Sequence, residues 1–417
     1  MVALVWLVVW SLLGAFAARH EGFDLGIYRD ALHWWWDGHG LYTFRQPRDG
    51  GLGFTYPPFA AIALSPLAAL PFEVTRFGLM AVNLVIVVVG GWWLARPLGL
   101  PHWFVLALAL PLGVALEPIR ETIGFGQVNL LLTALVLLDA VLLAQGRRAL
   151  AGFGIGLAAA VKLTPAIFLL YLPLRREWRP ALNAIGAAAG ATLLAAAADP
   201  RSSWQFWTET LWATSRVGRY DSTPNQSLMG LVARVLDTPV PPVWAWALLA
   251  VPFLTVGMVR ALRAGDEVTA FTLVGLTGGL VSPISWTHHL VWVLPAVILL
   301  LRGGRVIPAA LTYAIVASSV VWWWRRDAPH HWDLGLPGIV QENAYVLVLA
   351  ALVLWLPTRS GRHLSEQSQP MAGTGPDRLV SGSTAARGGA REMAGLALAC
   401  LSVARLHVER WRQSDHP

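Results

Sequence analysis

The chain has 417 residues, of which 56% are hydrophobic and only 13% are charged, and its mean hydropathy is +0.55. This composition excludes an ordinary soluble protein, and the single cysteine, Cys400, excludes an internal disulfide framework and a cysteine-based metal site. The net charge of +7 does not indicate nucleic-acid binding, because the arginines lie in short loops between apolar runs, as membrane topology signals do. The composition predicts an all-α polytopic membrane protein.

Apolar runs along the chain predict about 11 to 12 transmembrane helices, since a helix needs about 20 residues to cross a bilayer. The first run begins at Val2 with no basic segment before it, so we interpret it as a retained helix, although its alanine-rich end resembles a signal-peptide cleavage site. Residues 57–72 are short and proline-rich, which favours a re-entrant or interfacial helix over a crossing. The predicted crossings are 2–18, 75–95, 103–116, 128–145, 149–163, 164–174, 181–198, 242–262, 268–282, 289–301, 305–324 and 339–357.

Clustered arginines predict the orientation of these crossings. The clusters all fall in short loops on one side, which the positive-inside rule assigns to the cytoplasm. Both termini then lie inside, and the longer loops 19–57, 117–127, 199–230, 283–288 and 325–338 face outward. The clusters are Arg147 and Arg148, then Arg175, Arg176 and Arg179, then Arg260 and Arg263, and finally Arg302 and Arg305.

After Pro357 the composition changes abruptly. Residues 358–390 are polar and rich in Gly and Ser, which predicts disorder. The stretch 390–410 contains a short apolar centre that cannot span a membrane but is compatible with an interfacial helix. We therefore divide the chain into a membrane domain, 1–357, and a cytoplasmic tail, 358–417.

Polar residues that packing does not explain gather on the predicted outward side. A charge at mid-bilayer costs roughly 2.5 to 3.5 kcal/mol, so Lys162, within AAAVKLTP, requires a cavity or a counter-charge, or else it snorkels toward a helix end. A ligand-facing ammonium and a snorkelling one both fit the sequence. The residues are Asp24, Glu117, Arg120, Gln127, Asn129, Lys162, Thr164, Asn225, Gln226, His288 and His289.

Two of these positions have clear alternatives. Asp24 is placed to be the N-cap of a helix as well as a reactive carboxylate. His288 and His289 suggest a metal site, an anion donor or interfacial histidines, but adjacent helical residues point about 100° apart, which disfavours a shared metal. The aromatic residues that follow Asp24 predict an interfacial belt: His33, Trp34, Trp35, Trp36, Tyr42 and Phe44.

Several strings together resemble glycosyltransferase family 87, the actinobacterial polyprenyl-phosphate-mannose-dependent alpha-1,2-mannosyltransferases. They span about residues 1–357, and their joint order is more specific than any single motif. They are D-x-x-x-Y-x-x-A from Asp24, G-x-G-L-Y ending at Tyr42, FTYPPF at 54–59 with Tyr56, EPIR and GFGQVNL within 117–130, AAVKLTP at 159–165, NQSL at 225–228 and SPISWTHHL at 282–290.

This resemblance implies a C-type glycosyltransferase (GT-C) fold in the plasma membrane, with an extracytoplasmic active site. It implies a polyprenyl-phosphate-mannose donor, a glycolipid acceptor of the phosphatidylinositol mannoside, lipomannan or lipoarabinomannan type, and an inverting reaction with Asp24 as general base. No cofactor or metal is implied. The residues expected to bind the donor phosphate or sugar are Lys162, Arg120, His288, His289, Tyr56, Gln127, Asn129, Asn225 and Gln226.

Two other functions remain open on the sequence alone. A transferase of the same fold would use another lipid-linked sugar, since no motif here encodes hydrogen bonds to particular sugar hydroxyls. A lipid or solute transporter would use Lys162 as part of its pathway, but the sequence lacks an apparent inverted repeat.

Overall fold

A computed structural model of the chain describes residues 1–47, 51–213, 216–323 and 335–358, which are almost entirely helical. The predictions for the tail beyond residue 358 lie outside these segments. The helices are α1 (Val2–His20), α2 (Phe23–Trp36), α3 (Pro58–Ala68), α4 (Phe72–Ala95), α5 (His102–Phe104), α6 (Leu110–Ala115), α7 (Glu117–Gly124), α8 (Asn129–Ala144), α9 (Phe153–Val161), α10 (Ile167–Leu174), α11 (Trp178–Ala198), α12 (Pro200–Gln205), α13 (Leu228–Val235), α14 (Val243–Leu262), α15 (Glu267–Val281), α16 (Val293–Arg302), α17 (Val306–Ala317), α18 (Gly335–Glu342) and α19 (Ala344–Trp355).

Helix α15 lies at the centre of the bundle. It is buried from Val268 to Leu280, and it packs against α8, α10, α14, α16 and α19. A helix that is apolar on every face is stable only when protein or lipid surrounds it. The described residues thus confirm the prediction of an all-α membrane protein.

Within the described segments, three helices are long and apolar enough to cross a membrane, and two pairs of helices that bend by 78° and 61° raise this number to as many as five. The prediction of 11 to 12 crossings is therefore not confirmed. Helix α3, within the segment 57–72, has 11 residues and a length of about 16 Å, too short to cross alone. The three long helices are Phe72–Leu98, Trp178–Ala198 and Val243–Leu262, and the bent pairs are His102–Ala115 with Glu117–Gly124 and Gly335–Glu342 with Ala344–Trp355.

The predicted crossings 149–163 and 164–174 form a hairpin of two short helices, α9 and α10. Helix α9 ends because Lys162 has an extended backbone, with φ −148° and ψ 129°. Neither helix exceeds nine residues, or about 13 Å, so neither reaches across a bilayer alone. Helix α9 runs close beside α11, because a Cβ on Gly156 would lie only 2.3 Å from the Ala184 carbonyl oxygen. The hairpin therefore places Lys162 at a fixed inner tip.

The arginine-rich loops meet at one end of the bundle. Helices α8, α9, α11 and α15 connect this end with the opposite end, where Asp24, Lys162 and the turn after α15 lie. The contacting arginine-rich loops therefore lie at the end of the bundle opposite Asp24 and Lys162. The contacts between the loops are Arg148 with Glu177 at 2.8 Å, Arg175 with Glu267, the Arg260 guanidinium with the Leu356 carbonyl, and the Gly265 N–H with the Thr358 carbonyl at 2.8 Å.

Candidate active site

Asp24 lies in the first turn of α2, and the N-cap residue of that helix is Gly22, with φ 61°. The alternative that Asp24 caps the helix is therefore wrong, since the cap position belongs to Gly22 and no side chain forms a capping bond. The backbone N–H groups of Asp24 and Leu25 donate to the Phe125 carbonyl at 3.0 and 3.2 Å. These bonds fix the start of α2 against the end of α7. A first-turn position also favours a negatively charged side chain.

A series of hydrogen bonds joins the Asp24 carboxylate to two tyrosines. Gln127 Nε2 donates to Asp24 Oδ2 at 2.8 Å, and the Tyr56 hydroxyl donates to Gln127 Oε1 at 3.0 Å. The hydroxyls of Tyr56 and Tyr28 lie 2.7 Å apart. Because both ends of the Gln127 amide are engaged, its NH₂ group is held toward the carboxylate. Two of the predicted donor-binding residues, Tyr56 and Gln127, therefore lie beside the predicted base.

The environment of Asp24 makes it a better base than an ordinary carboxylate. Burial raises the pKa of Asp24 from 3.8 to about 6, while the hydrogen bond from Gln127 and the charge of Lys162 oppose the rise. The residue as a whole still keeps part of its surface exposed. A carboxylate with this pKa is largely ionised at neutral pH, and it binds a proton more strongly than one with an unshifted pKa.

Lys162 is only 8% exposed, so its ammonium does not reach the surface as a snorkelling lysine would. Its Nζ donates to Asn129 Oδ1 at 2.8 Å and lies 3.1 Å from His289 Nε2. The same atom lies 5.0 Å from the centre of the Tyr56 ring. Among the residues that the structure describes, no carboxylate lies within salt-bridge distance of Lys162. Its immediate neighbours do not neutralise its charge.

The turn Thr287–His289 follows α15 and is held by side chains of α7 and α8. Thr122 Oγ1 and Asn129 Nδ2 donate to the His288 carbonyl at 3.0 and 2.8 Å. Asn129 thus contacts both this turn and the tip of the α9–α10 hairpin. It fixes the position of the histidine pair relative to Lys162.

The two histidines have different surroundings. His289 Nδ1 accepts from the Trp286 N–H at 3.2 Å, which leaves Nε2 facing Lys162. The His288 ring packs edge-on to Phe125, with centroids 5.4 Å apart, and its buried Nε2 has no partner among the described residues. Burial and the charge of Lys162 hold the pKa of the His288 ring well below its usual value. The planes of the two rings cross at 89°.

A cavity begins at Lys162 and continues between α8, α10 and α15. Its polar end is formed by Asn129, Lys162 and His289, and most of the remaining wall is apolar. Gly275, Gly278 and Gly279 of α15 line the cavity without side chains. A polar end followed by an apolar wall suits a ligand with an anionic head and a hydrocarbon tail. The other lining residues are Leu132, Thr133, Val136, Thr164, Pro165, Ile167, Phe168, Gly275, Gly278, Gly279, Val291 and Trp292.

Arg120 does not join this group. Its guanidinium donates to the Ala317 carbonyl at 3.1 Å and also contacts the Ala115 carbonyl and the Ser319 hydroxyl. These bonds connect the start of α7 to the end of α17. The neighbouring Glu117 is also engaged internally, by Trp322 Nε1 at 2.8 Å and by the Tyr345 hydroxyl.

Asn225 and Gln226 are fully buried and likewise bond within the protein. Asn225 Oδ1 accepts from the Ser285 N–H at 2.9 Å. The Gln226 amide makes four hydrogen bonds to backbone groups, which is its full capacity. It therefore has no bond left for a donor sugar. The four partners are the carbonyls of Thr223 and Glu342, at 2.6 and 2.7 Å, and the N–H groups of Tyr345 and Val346, at 3.1 and 3.3 Å.

The aromatic residues of the predicted belt differ in their exposure. Trp34 and Trp36 are exposed, but Tyr42 and Phe44 belong to the buried core, because the chain after α2 folds back over the helices. Sequence reasoning did not single out Tyr28 as a site residue. Its spacing of four from Asp24 on one helix was the available signal, since such residues share a face.

The fold and the site together define an all-helical membrane protein with an ionisable carboxylate, Asp24, and a buried lysine, Lys162, at the polar end of a largely apolar cavity. The model of glycosyltransferase family 87 matches residues 54–283. The chain belongs to glycosyltransferase family 87, which confirms the resemblance, and it is a hexosyltransferase. Lys162, Tyr56, Gln127 and Asn129 lie inside the matched range.

Two curated relatives are similar to most of the chain. The polyprenol-phosphate-mannose-dependent alpha-(1-2)-phosphatidylinositol mannoside mannosyltransferase of Mycobacterium tuberculosis is 36% identical over 71% of this chain and 75% of its own length. The corresponding pentamannoside mannosyltransferase of Mycolicibacterium smegmatis is 34% identical over 79% and 83%. The solved structure of ArnT from Cupriavidus metallidurans, bound to undecaprenyl phosphate, aligns with 84% of this chain and 76% of that chain, with 15% identity and a TM-score of 0.39.

Proposed function

We propose that the chain transfers mannose from polyprenyl-phosphate-mannose to a phosphatidylinositol mannoside and forms an alpha-1,2 linkage. The names of the two curated relatives support this donor, acceptor and linkage. Acceptors of the lipomannan and lipoarabinomannan type belong to the same chemical class. The observation that carries the proposal is the proximity of an ionisable carboxylate and a buried lysine, connected through Gln127 and Tyr56.

In this mechanism Asp24 is the general base. The acceptor hydroxyl oxygen attacks the anomeric carbon of mannose, and its proton passes to the Asp24 carboxylate. The bond between the anomeric carbon and the phosphate oxygen breaks, so the polyprenyl phosphate leaves with one additional negative charge. A beta-linked donor and an alpha product require inversion. One carboxylate suffices, because the phosphate leaves without protonation.

The leaving phosphate requires positive charge and hydrogen-bond donors. Lys162 supplies an ammonium whose immediate partners, Asn129 and His289, carry no negative charge to neutralise it. Charge-assisted bonds from such a group strengthen as charge develops on the phosphate, which favours the transition state over the bound substrate. The apolar continuation of the cavity would then hold the first isoprene units of the donor.

For the membrane arrangement we propose a multi-pass GT-C protein of the plasma membrane in which the α9–α10 hairpin is re-entrant, so that about ten of the twelve predicted crossings remain. The arginine-rich end would face the cytoplasm, as the positive-inside rule requires. Asp24 and Lys162 would then lie toward the extracytoplasmic face. There a lipid-linked sugar meets both water and hydrocarbon.

The test is a transfer assay with the full chain in lipid vesicles. Radiolabelled polyprenyl-phosphate-mannose and phosphatidylinositol mannoside should give a product whose new mannose is released by an alpha-1,2-specific mannosidase. Labelled polyprenyl-phosphate-arabinose is the matched donor control. Transfer of arabinose but not mannose would favour the other lipid-linked sugar, and passage of the lipid across the bilayer without glycoside formation would favour a transporter.

A further inference from the structure

Two arginines from separate segments approach one backbone carbonyl, that of Tyr42. The side chain of Tyr42 connects this carbonyl with Tyr56. Arg216 Nη2 donates to the Tyr42 carbonyl at 2.6 Å, and Arg45 Nη1 lies 3.5 Å from the same oxygen. Arg45 Nη1 also donates to the Phe44 carbonyl at 3.0 Å. The two guanidinium groups therefore lie side by side, although their residues are far apart in the sequence.

Gly53 leaves the space that this convergence needs. A Cβ at Gly53 would lie 2.6 Å from the Phe44 carbonyl oxygen and 2.8 Å from Arg45 Nη1. The same Cβ would lie 3.7 Å from Arg216 Nη2. Any side chain at this position would push the arginine pair apart or displace the loop.

The pair carries two positive charges without a described counter-ion. Within the described segments, neither guanidinium forms an ion pair with a carboxylate. Arg216 Nε is buried and has no hydrogen-bond partner there. Burial and the charge of Arg45 lower the pKa of Arg216. Two like charges at this separation destabilise each other unless an anion binds between them, and a phosphate accepts several such N–H groups at once.

The location of the arginine pair suits the head group of a membrane lipid. Trp34 Nε1 donates to Thr43 Oγ1, beside Tyr42, at 3.0 Å, and Trp212 is 72% exposed. Exposed tryptophans are typical of the layer where lipid head groups lie. The arginine pair is also connected to the catalytic site, since the Tyr42 hydroxyl donates to the Tyr56 carbonyl at 2.8 Å.

We propose that Arg45 and Arg216 bind the phosphodiester of the acceptor glycolipid, at a site separate from the donor phosphate site at Lys162. This inference rests on the proposed function for the identity of the acceptor. The arginines would then select acceptors by their charged anchor, while the terminal mannose meets the base.

The experiment compares two acceptors in the transfer assay: phosphatidylinositol mannoside and an uncharged alkyl mannoside. We expect Arg216→Gln to reduce the preference for the phosphodiester acceptor about 10-fold to 100-fold, mainly through its KM, because a charge-assisted bond is lost. Arg216→Lys keeps the charge but loses the planar fork, so it should retain part of the preference. Arg201→Gln is the matched control, since it removes one exposed charge from the first turn of α12 and should keep the parental preference.

Two results would overturn the proposal. If Arg216→Gln lowers transfer to both acceptors equally, the arginines only support the loop. An effect that disappears when neutral lipids replace the anionic lipids of the vesicle would assign them to bulk lipid. Direct binding of the two glycolipids, measured by native mass spectrometry in detergent, gives the same comparison without transfer. Absence of all mannose transfer by the parental chain would count against the proposed function, whereas the binding preference tests the arginine pair by itself.

Discussion

Two polar regions of this molecule look alike in sequence and differ in structure. The first contains Asp24, Gln127, Lys162 and His289, and the second, which we call the hub, contains Asn225, Gln226, Arg234 and Asn343. Both lie among apolar helices, and the sequence predicted donor-binding residues in both. The difference between them is where their hydrogen bonds go.

In the hub, bonds within the protein engage the polar groups. Arg234 Nε and Nη2 both donate to Asn343 Oδ1, at 2.9 and 2.7 Å. Its Nη1 donates to the carbonyls of Ser222 and Asn225 at 3.0 Å. With the complete set of bonds around Gln226, the hub connects three segments of chain and presents no free group to a ligand. Its role is to hold the turn after α15 in place.

At the site, charge remains available. Lys162 has immediate partners that carry no negative charge, and Asp24 has one described side-chain donor and keeps exposed surface. Burying a charge is costly when it lacks a partner of opposite sign, so such an arrangement indicates a ligand that completes it. Polar groups whose bonds or charges are not satisfied within the protein therefore distinguish a ligand site from a structural network better than the number of polar residues does.

The largest expected effect follows from removing the base. Asp24→Asn keeps the size of the side chain and can still bond to Gln127, but it cannot accept a proton, so transfer should fall about 10² to 10⁴-fold with little change in donor binding. Asp30→Asn, on an exposed position of the same helix, is the matched control. An Asp24→Asn protein that transfers mannose at the parental rate would remove the base from the mechanism.

A smaller effect is expected at the lysine. Lys162→Met keeps a chain of similar length but loses the ammonium, so kcat/KM for the donor should fall about 10-fold to 100-fold, the loss expected for a charge-assisted phosphate contact. Arg148→Met removes a positive charge at the other end of the bundle and should have no effect on donor use. A variant at position 162 with parental kinetics and higher stability would indicate a lysine without a ligand.

The hub should respond in stability rather than in rate. Gln226→Leu leaves four buried backbone groups without their partner. One such group costs about 1 to 3 kcal/mol, so the free energy of unfolding should fall by at least that amount. Thermal unfolding in detergent measures the loss, and active-site titration gives the rate of the folded fraction. A Gln226→Leu protein of parental stability whose donor KM rises would reverse the comparison and make the hub a binding site.

The smallest effect is a shift in pH dependence. Because the pKa of Asp24 is about 6 and only the ionised form accepts a proton, kcat/KM should rise with pH and level off above about 6. Gln127→Leu removes a hydrogen bond that favours the ionised form, so the acid limb should move to higher pH by about one unit or less. If the pH at which kcat/KM falls on the acid side is the same in Gln127→Leu and the parental protein, a group other than Asp24 controls that fall.

Much of the site was predictable because a membrane protein seldom places a charged side chain near hydrocarbon without a functional reason. Asp24, Lys162 and Gln127 were identified from that argument and from the family strings. Arg120 and Gln226 looked the same in sequence, because a string does not reveal which carbonyls will lie within reach of a side chain. The twelve apolar runs were visible, but the hairpin at Lys162 was not, since a short re-entrant helix and a crossing have the same composition.

The length of α9 sets the position of the Lys162 ammonium. Gly156 packs against α11, and Lys162 directly follows the end of α9, so the number of residues between them fixes where the ammonium lies. Under the proposed function it also fixes the depth at which the donor phosphate binds. One additional alanine between Gly156 and Lys162 would advance the tip by about 1.5 Å and rotate it by about 100°. The ammonium would then point away from Asn129 and His289. An inserted or deleted residue in this segment would therefore move the charge, whereas a substitution that fits the same space would leave it in place.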